Sequence, residues 1–207
     1  MSRAPTRKAS RPTQAERRAR TRTALLESAA RGLSRHGYGN LVLEDVAREA
    51  GYTRGALYHQ FRDKEDLARA VLEWVDETWR QEVGAIAEQR SEPVAALMAL
   101  ARGHAVYCRR DVARLGMALR MEFSGQDHPL GRELERVSES LVKRCARLIG
   151  AGRRDGSIPS GPPARAVALA LVGALEGTVI ALAGHAPHDE ELAARAVAGV
   201  LGLETRR

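Results

Sequence analysis

The sequence contains few of the residues on which disulfide-bonded, metal-binding and redox proteins depend. Only two of its 207 residues are cysteine, Cys108 and Cys145, which gives neither a disulfide framework nor the paired spacing of a zinc site. We expect two buried structural thiols, with a redox switch as the alternative. His185 and His188 in the loop HAPH lack cysteine or carboxylate partners at ligand spacing, so no metal site is predicted.

Patterns typical of enzymes and exported proteins are also missing. The chain has no glycine-rich phosphate loop, no nucleophile elbow and no metal cluster, so we expect neither an enzyme nor a bound cofactor. Aromatic residues make up 4% of the chain, which argues against a site that stacks on large planar compounds. No apolar segment follows the basic N-terminus to form a signal peptide, so a cytoplasmic location is predicted.

One apolar stretch, residues 165–183, differs from the rest of the chain. Its only charged residue after Arg165 is Glu176, and small residues are abundant. A helix that is apolar nearly all round is expected to be buried. Proline and glycine flank the stretch and Glu176 lies within it, so a membrane span is rejected. Gly173 and Gly177, four residues apart, allow another helix to approach closely.

The positive charge is confined to the N-terminus. Residues 1–22 hold eight basic side chains and one acidic side chain, whereas residues 23–207 hold 25 of each. The whole net charge of +7 therefore lies in an N-terminal arm, which attracts a polyanion such as DNA. A solvated tail is the alternative interpretation.

Hydrophobic periodicity predicts an all-α fold of about nine helices, with no convincing strand. Thr13 and Glu16 form a capping-box pattern before a helix that ends at Gly37. Apolar side chains at Leu43, Val46, Ala47 and Ala50 predict a short second helix, which Gly51 ends. Thr53 can cap a third helix that reaches His59.

Two helices around a glycine-containing turn are the layout of a helix-turn-helix, whose second helix enters the major groove of DNA. This motif, together with Gly37-Tyr38 and the segment LEDVAREAGYTRGALYHQFRDKEDL (residues 43–67), resembles the tetracycline-repressor (TetR) family of bacterial transcriptional regulators. The rest of the chain resembles that family only in layout. One departure is Val42, where the family usually has Ser or Thr, so an expected phosphate contact is in doubt.

The resemblance implies a homodimer on a palindromic double-stranded DNA operator. The expected parts are a basic flexible arm (1–18), a helix-turn-helix domain (19–79, motif 42–61) and an effector-binding and dimerisation domain (80–207). The last two helices of each subunit would form the dimer interface. The residues expected there are Leu169, Gly173, Gly177, Ile180, Val197 and Val200.

Six residues are expected to contact DNA. Thr53 sits at a helix N-terminus, where free N–H groups favour phosphate, and its hydroxyl can either cap the helix or contact the backbone. Arg54 either pairs with guanine or contacts phosphate. Gly55 leaves room for a close approach. The resemblance implies a phosphate contact for Tyr58, with core packing as the alternative, and a similar or minor contact for His59. Lys64 is expected to hold a phosphate.

Apolar and aromatic side chains on the long helix after residue 63 and on the next three helices predict a pocket for a small-molecule effector, with ordinary core packing as the alternative for each. The candidates are Trp74, Trp79, Met98, His104, Tyr107, Met117, Met121 and Phe123.

The sequence thus predicts a repressor that a small molecule releases from its operator. An activator or a ligand-independent regulator of the same family is the alternative. A second alternative is a helical protein-binding module that does not bind DNA. The basic arm and Arg54 argue against it.

Overall fold

The computed structural model describes residues 13–110, 115–182 and 185–203, which form nine helical rods. The fourth, α4, is continuous over 64–88 and consists of Lys64–Trp79, a π-helical turn Arg80–Gly84 and Ala85–Glu88. The others are α1 (Gln14–His36), α2 (Leu43–Glu49), α3 (Arg54–Tyr58), α5 (Pro93–Tyr107), α6 (Leu115–Glu122), α7 (Pro129–Arg154), α8 (Ala164–Leu182) and α9 (His188–Val200). The predicted all-α fold of about nine helices is confirmed, and the described residues include no strand.

The helix ends follow the predicted local chemistry. The Thr13 hydroxyl accepts a hydrogen bond from the backbone N–H of Glu16, whose carboxylate accepts one from the N–H of Thr13, so the capping box is present. Residues 14–18 of the predicted arm are therefore helical, while residues 1–12 lie outside the described part of the chain. Gly51 has a φ of 77°, a left-handed conformation that ends α2 without the steric penalty of a Cβ.

Two clusters of buried side chains form the core. The first joins α1–α4 to α6 and the start of α7, and the second joins the end of α4 to α5 and α7–α9. Because α6 and the start of α7 pack on the helix-turn-helix unit, its core extends beyond residue 79. Fully buried leucines of the first cluster include Leu25, Leu33, Leu57, Leu67, Leu119 and Leu130.

The C-terminal helix is attached by a buried ion pair. Asp189, 3% exposed at the start of α9, accepts hydrogen bonds from Nε and Nη2 of Arg109, each at 2.9 Å. These hydrogen bonds hold the pKa of Asp189 below its ordinary value. A buried carboxylate needs such a partner, because an unpaired charge there would be strongly destabilising.

The apolar helix α8 is not buried all round, contrary to the expectation from its sequence. Ala168, Leu171, Leu175 and Val179 face the second cluster, but Leu169 is 48% exposed. By length and composition α8 is the one described helix that fits a membrane span, with 33% of its most apolar window buried. Core helices of globular proteins pass the same test, and α8 packs against α5, α7 and α9.

Replacing Gly152 with alanine is expected to destabilise the protein by about 1–3 kcal/mol. A Cβ at this position of α7 would lie 2.6 Å from Cδ1 of Ile158, which is buried and has little room to move. Gly150→Ala is the matched control, since its Cβ would approach nothing closer than 3.6 Å. Urea unfolding at one protein concentration measures both, and equal unfolding midpoints would contradict the prediction.

Candidate DNA-binding surface and effector cavity

The helix-turn-helix is held against α1 by its inner face. Leu57 of α3 is fully buried and Phe61 is 2% exposed, while Val46 and Ala47 of α2 pack in the same cluster. The buried hydroxyl of Ser28 in α1 donates to the backbone oxygen of Val46 over 3.0 Å. The orientation of α2 and α3 is therefore fixed by burial, and their other face is left free.

The free face carries the residues expected to contact DNA. Thr53, Arg54, Gly55, Tyr58 and His59 are all exposed, with Tyr58 at 42%. The Thr53 hydroxyl caps α3 by accepting from the N–H of Ala56 over 3.2 Å, and its own proton remains available to a phosphate oxygen. Val42 occupies the N-cap position of α2 and makes no side-chain hydrogen bond there, as predicted for an apolar residue.

Arg54 is already positioned by two contacts. Its Nη1 lies 3.0 Å from Oε1 of Glu44 in α2, and its guanidinium lies 5.3 Å from the centre of the Tyr58 ring. Both members of the ion pair are well exposed, so solvent screens it and the pair contributes little stability. Replacing the Glu44 carboxylate with an acceptor on DNA would therefore cost Arg54 little free energy.

Lys64 makes contacts within the protein that the sequence did not predict. Its Nζ donates to the backbone oxygen of Gly39 over 2.8 Å and lies 4.8 Å from the centre of the Tyr38 ring. An ammonium group has three N–H donors, so two remain for a phosphate. Arg22 of α1 was predicted only as one of the eight basic residues of the N-terminus. Its guanidinium lies 4.6 Å over the Phe61 ring, so the folded structure places it beside the motif.

The link between α1 and α2 is tied to α6. Glu122, the last residue of α6, accepts hydrogen bonds from the backbone N–H groups of Tyr38 and Gly39, each over 2.5 Å. An ionised carboxylate makes stronger hydrogen bonds than a neutral acceptor. The ring of Tyr38 also lies 5.5 Å from that of Phe123, centre to centre. These contacts tie the link before α2 to the end of α6, in addition to the packing of α6 in the first cluster.

A cavity of about 570 Å³ lies between α4, α5, α6, α7 and α8, a size typical of small-molecule sites. Three of the predicted pocket residues line it: Trp79, His104 and Tyr107. The remaining lining is mainly Leu72, Val75, Leu115, Leu134, Val137, Leu141, Val179 and Ile180, with Asp76, Arg80, Glu88, Arg120, Lys143, Arg144, Arg147 and Glu176.

Four of the other predicted pocket residues do not line this cavity. Trp74 packs on the first cluster and Met98 on the second, while Phe123 is buried beside Tyr38 and stacks on His128. Met121 is 73% exposed because it points away from both clusters. The side chain of Met117 lies outside the described part of the structure.

His104 is a neutral group in the cavity wall. Its Nδ1 accepts a hydrogen bond from Nε1 of Trp79 over 3.0 Å, so the ring proton is on Nε2. Burial lowers the pKa of His104 to about 4. The Cys108 thiol lies 3.7 Å from Nε2 and 3.8 Å from Nδ1, and the Nε2 proton can be donated to a ligand oxygen.

Both cysteines are buried thiols. Burial raises the pKa of Cys108 to about 12 and that of Cys145 to about 11. The thiolate is the reactive form, so both groups are unreactive at neutral pH, which supports the predicted structural role. No group of three potential metal ligands occurs among the described residues.

The predicted dimer residues divide into two groups. Leu169, Gly173 and Gly177 are exposed along one side of α8, and a Cβ added at either glycine would meet nothing within 4 Å. Ile180 and Val200 are partly exposed. Val197 is fully buried in its own subunit, so it has no exposed surface to offer a partner. On α9 the exposed apolar side chain is Leu192, at 40%.

Residues 25–71, which form most of α1–α3 and the start of α4, match the family model for bacterial regulatory proteins of the tetR family. The chain carries the DNA-binding domain of the TetR family. TetR-family proteins are transcriptional regulators and not enzymes, so the expectation that the chain is not an enzyme is confirmed.

A curated relative matches only part of the chain. The transcriptional regulator TtgR of Pseudomonas putida is 40% identical over 58 residues, which are 28% of each chain. The chain therefore spans less than a third of that curated relative.

Solved structures extend the likeness to the whole fold. SCO4454, a TetR-family regulator from Streptomyces coelicolor, has a TM-score of 0.73 and 23% identity, over 89% of this chain and 95% of that one. AibR, solved with isovaleryl coenzyme A and operator DNA, has a TM-score of 0.73 and 18% identity, over 89% of this chain and all of that one. At these identities the likeness establishes the fold alone.

Arg54→Ala is expected to reduce the preference for operator over random DNA by about 1–3 kcal/mol, because a bidentate base contact carries sequence information. Lys64→Ala is expected to weaken binding to both DNAs alike, because a phosphate contact carries none. Fluorescence anisotropy on an operator selected from bound genomic fragments and on a random duplex measures this.

Arg102→Ala, which removes an exposed cation of α5, is the control and is expected to change neither affinity. The ratio of the two affinities is the decisive quantity, since losing Arg54 also leaves Glu44 unpaired near the DNA. Equal losses on both duplexes for Arg54→Ala would exclude base reading.

Proposed function

We propose that this chain is a homodimeric DNA-binding transcriptional repressor, released from a palindromic operator by a small molecule that binds in the α4–α8 cavity. The helix-turn-helix face supports the DNA-binding part, because its inner side chains are buried while Thr53, Arg54, Gly55, Tyr58 and His59 are exposed together. The basic arm at residues 1–18 would add attraction to the phosphate backbone. DNA is a cytoplasmic partner in bacteria, so the proposed location is the cytoplasm.

The observation that carries the regulatory part is that α6 reaches both sites. Leu115, Gly116 and Arg120 of α6 line the cavity. Two residues after Arg120, the Glu122 carboxylate holds the backbone N–H groups of Tyr38 and Gly39. An occupant that moves α6 would move the link before α2. Such a ligand changes operator affinity only if it prefers one of the two positions of α6.

The exposed stripe on α8 supports the homodimer. Leu169, Gly173 and Gly177 present an apolar, nearly flat surface that a second helix can approach closely. A surface of this composition is unusual on a monomer. Two subunits would also supply the two recognition helices that a palindromic operator needs. AibR, whose fold is similar, was solved with both operator DNA and isovaleryl coenzyme A, which are the two kinds of ligand proposed for this chain.

An activator with the same two sites is the second candidate. Every contact described for repression serves activation equally, since the sign depends on where the operator lies relative to the promoter. Selection of bound genomic fragments, repeated with a metabolite panel, tests the main proposal. A protected palindromic site that a compound abolishes supports release, and failure to retain any genomic fragment contradicts DNA binding.

Leucine at both Gly173 and Gly177 is expected to convert the dimer to a monomer and to lower affinity for a two-half-site operator at least tenfold. The added side chains have room within the subunit but would separate the partner helix. Ala95→Leu, which places a new exposed leucine on α5, is the control. Sedimentation velocity measures the assembly state, and a dimer that survives both leucines would place the interface elsewhere.

Glu122→Gln is expected to reduce the ratio of operator affinities without and with the selected compound toward one. Glutamine keeps the shape but loses the charge-assisted hydrogen bonds to Tyr38 and Gly39. Glu133→Gln, which removes a carboxylate paired with Arg136 on α7, is the control. An unchanged ratio in Glu122→Gln, with compound binding intact, would show that the signal takes another route.

A further inference from the structure

The cavity has an apolar end and a charged end. Its two longest walls, α4 and α7, run side by side in the same direction. At one end Leu72 and Leu134 lie in the same core cluster, and at the other Nη2 of Arg144 donates to the backbone oxygen of Gly84 over 2.8 Å. Both walls change from apolar to charged side chains along the chain, so their charged portions meet at the same end.

The cavity is long enough for an extended chain. Cavity-lining residues on α7 run from Leu134 to Arg147, which at 1.5 Å per residue is about 20 Å. Leu72 and Val75 of α4 and Leu134, Val137 and Leu141 of α7 line the first half.

The carboxylates of the cavity are already neutralised. Asp76 lies 3.3 Å from Arg80, Glu88 lies 2.5 Å from Arg144, and Glu176 lies 2.8 Å from Arg120. These three pairs leave no unmatched negative charge in the lining that would attract a cationic ligand.

Two basic residues of the cavity lining are not paired with a carboxylate of the lining. Lys143 and Arg147, one helical turn apart on α7, line the cavity and are exposed to solvent. Neither forms an ion pair or side-chain hydrogen bond with any residue in the described part of the chain. The charged end is therefore the end that opens to solvent, and its net charge is positive.

We infer that the effector is an amphipathic anion: an extended apolar body that lies along α4 and α7, ending in a carboxylate or phosphate group held by Lys143 and Arg147. This rests on the proposed function, since it names the ligand class of the same cavity. Each cation acts in a partly solvated position, so attraction and screening by salt are both expected.

The first experiment is calorimetric titration of the full chain with decanoate, dodecanoate, decyl phosphate and 1-decanol. Decanoate and decyl phosphate are expected to bind about tenfold more tightly than 1-decanol, and each added CH₂ is expected to tighten binding roughly fourfold. Raising sodium chloride from about 0.05 M to about 0.5 M is expected to weaken decanoate binding but not 1-decanol binding. Comparing the carboxylate with the phosphate identifies which head group the site prefers.

The second experiment uses the double variant Lys143→Gln/Arg147→Gln. Decanoate affinity is expected to fall about tenfold while 1-decanol affinity is retained. Arg102→Gln, an exposed cation outside the cavity, is the matched control. The salt comparison on the unmodified protein needs no variant, so the inference stays testable even where a variant folds poorly.

Equal affinity for decanoate and 1-decanol, no effect of the double substitution, or no binding of any probe would each overturn the inference. Operator binding without ligand is measured on the same samples. Intact operator binding alongside one of these results removes only the ligand class, whereas loss of operator binding alongside tight decanoate binding removes the proposed function and leaves the ligand class standing.

Discussion

The fold depends on one rod, α4, being part of both hydrophobic clusters. Leu67 and Val71 near its start are fully buried in the first cluster, and Val83 and Ala87 near its end are buried in the second. Val75 lies between them and packs against both. Because well-packed cores resist deformation, the rod fixes the position of each cluster relative to the other. The cavity opens along this shared stretch, between the two clusters.

Much of the fold was predictable because it depends on local chemistry. The capping residues Thr13 and Thr53 and the helix-ending Gly51 act within a few residues of chain, and each was predicted correctly from sequence. The buried face of the helix-turn-helix followed from periodicity for the same reason. The cavity was only partly predictable, because periodicity gives the buried face of a helix but not which buried positions border a void.

The errors have physical causes that only the tertiary structure reveals. Phe123 looked like a ligand contact, yet it fills the junction beside Tyr38. Val197 was expected at the dimer interface, yet it packs in the core of its own subunit, because periodicity does not distinguish a face that packs within a subunit from one that packs against a partner. Lys143 and Arg147 passed unnoticed because basic residues are common in this chain, and only their place at the cavity edge distinguishes them.

The glycines of α8 also separate the choice of a dimer partner from the folding of the subunit. Gly173 and Gly177 face open space within the subunit, so side chains introduced there leave the subunit's own packing unchanged. In the proposed dimer, the choice of partner would then be adjustable independently of the fold. A subunit enlarged at the glycines and one with a cavity carved at Leu169 would pair with each other in preference to themselves. With different recognition helices, such a heterodimer would read an operator whose two halves differ.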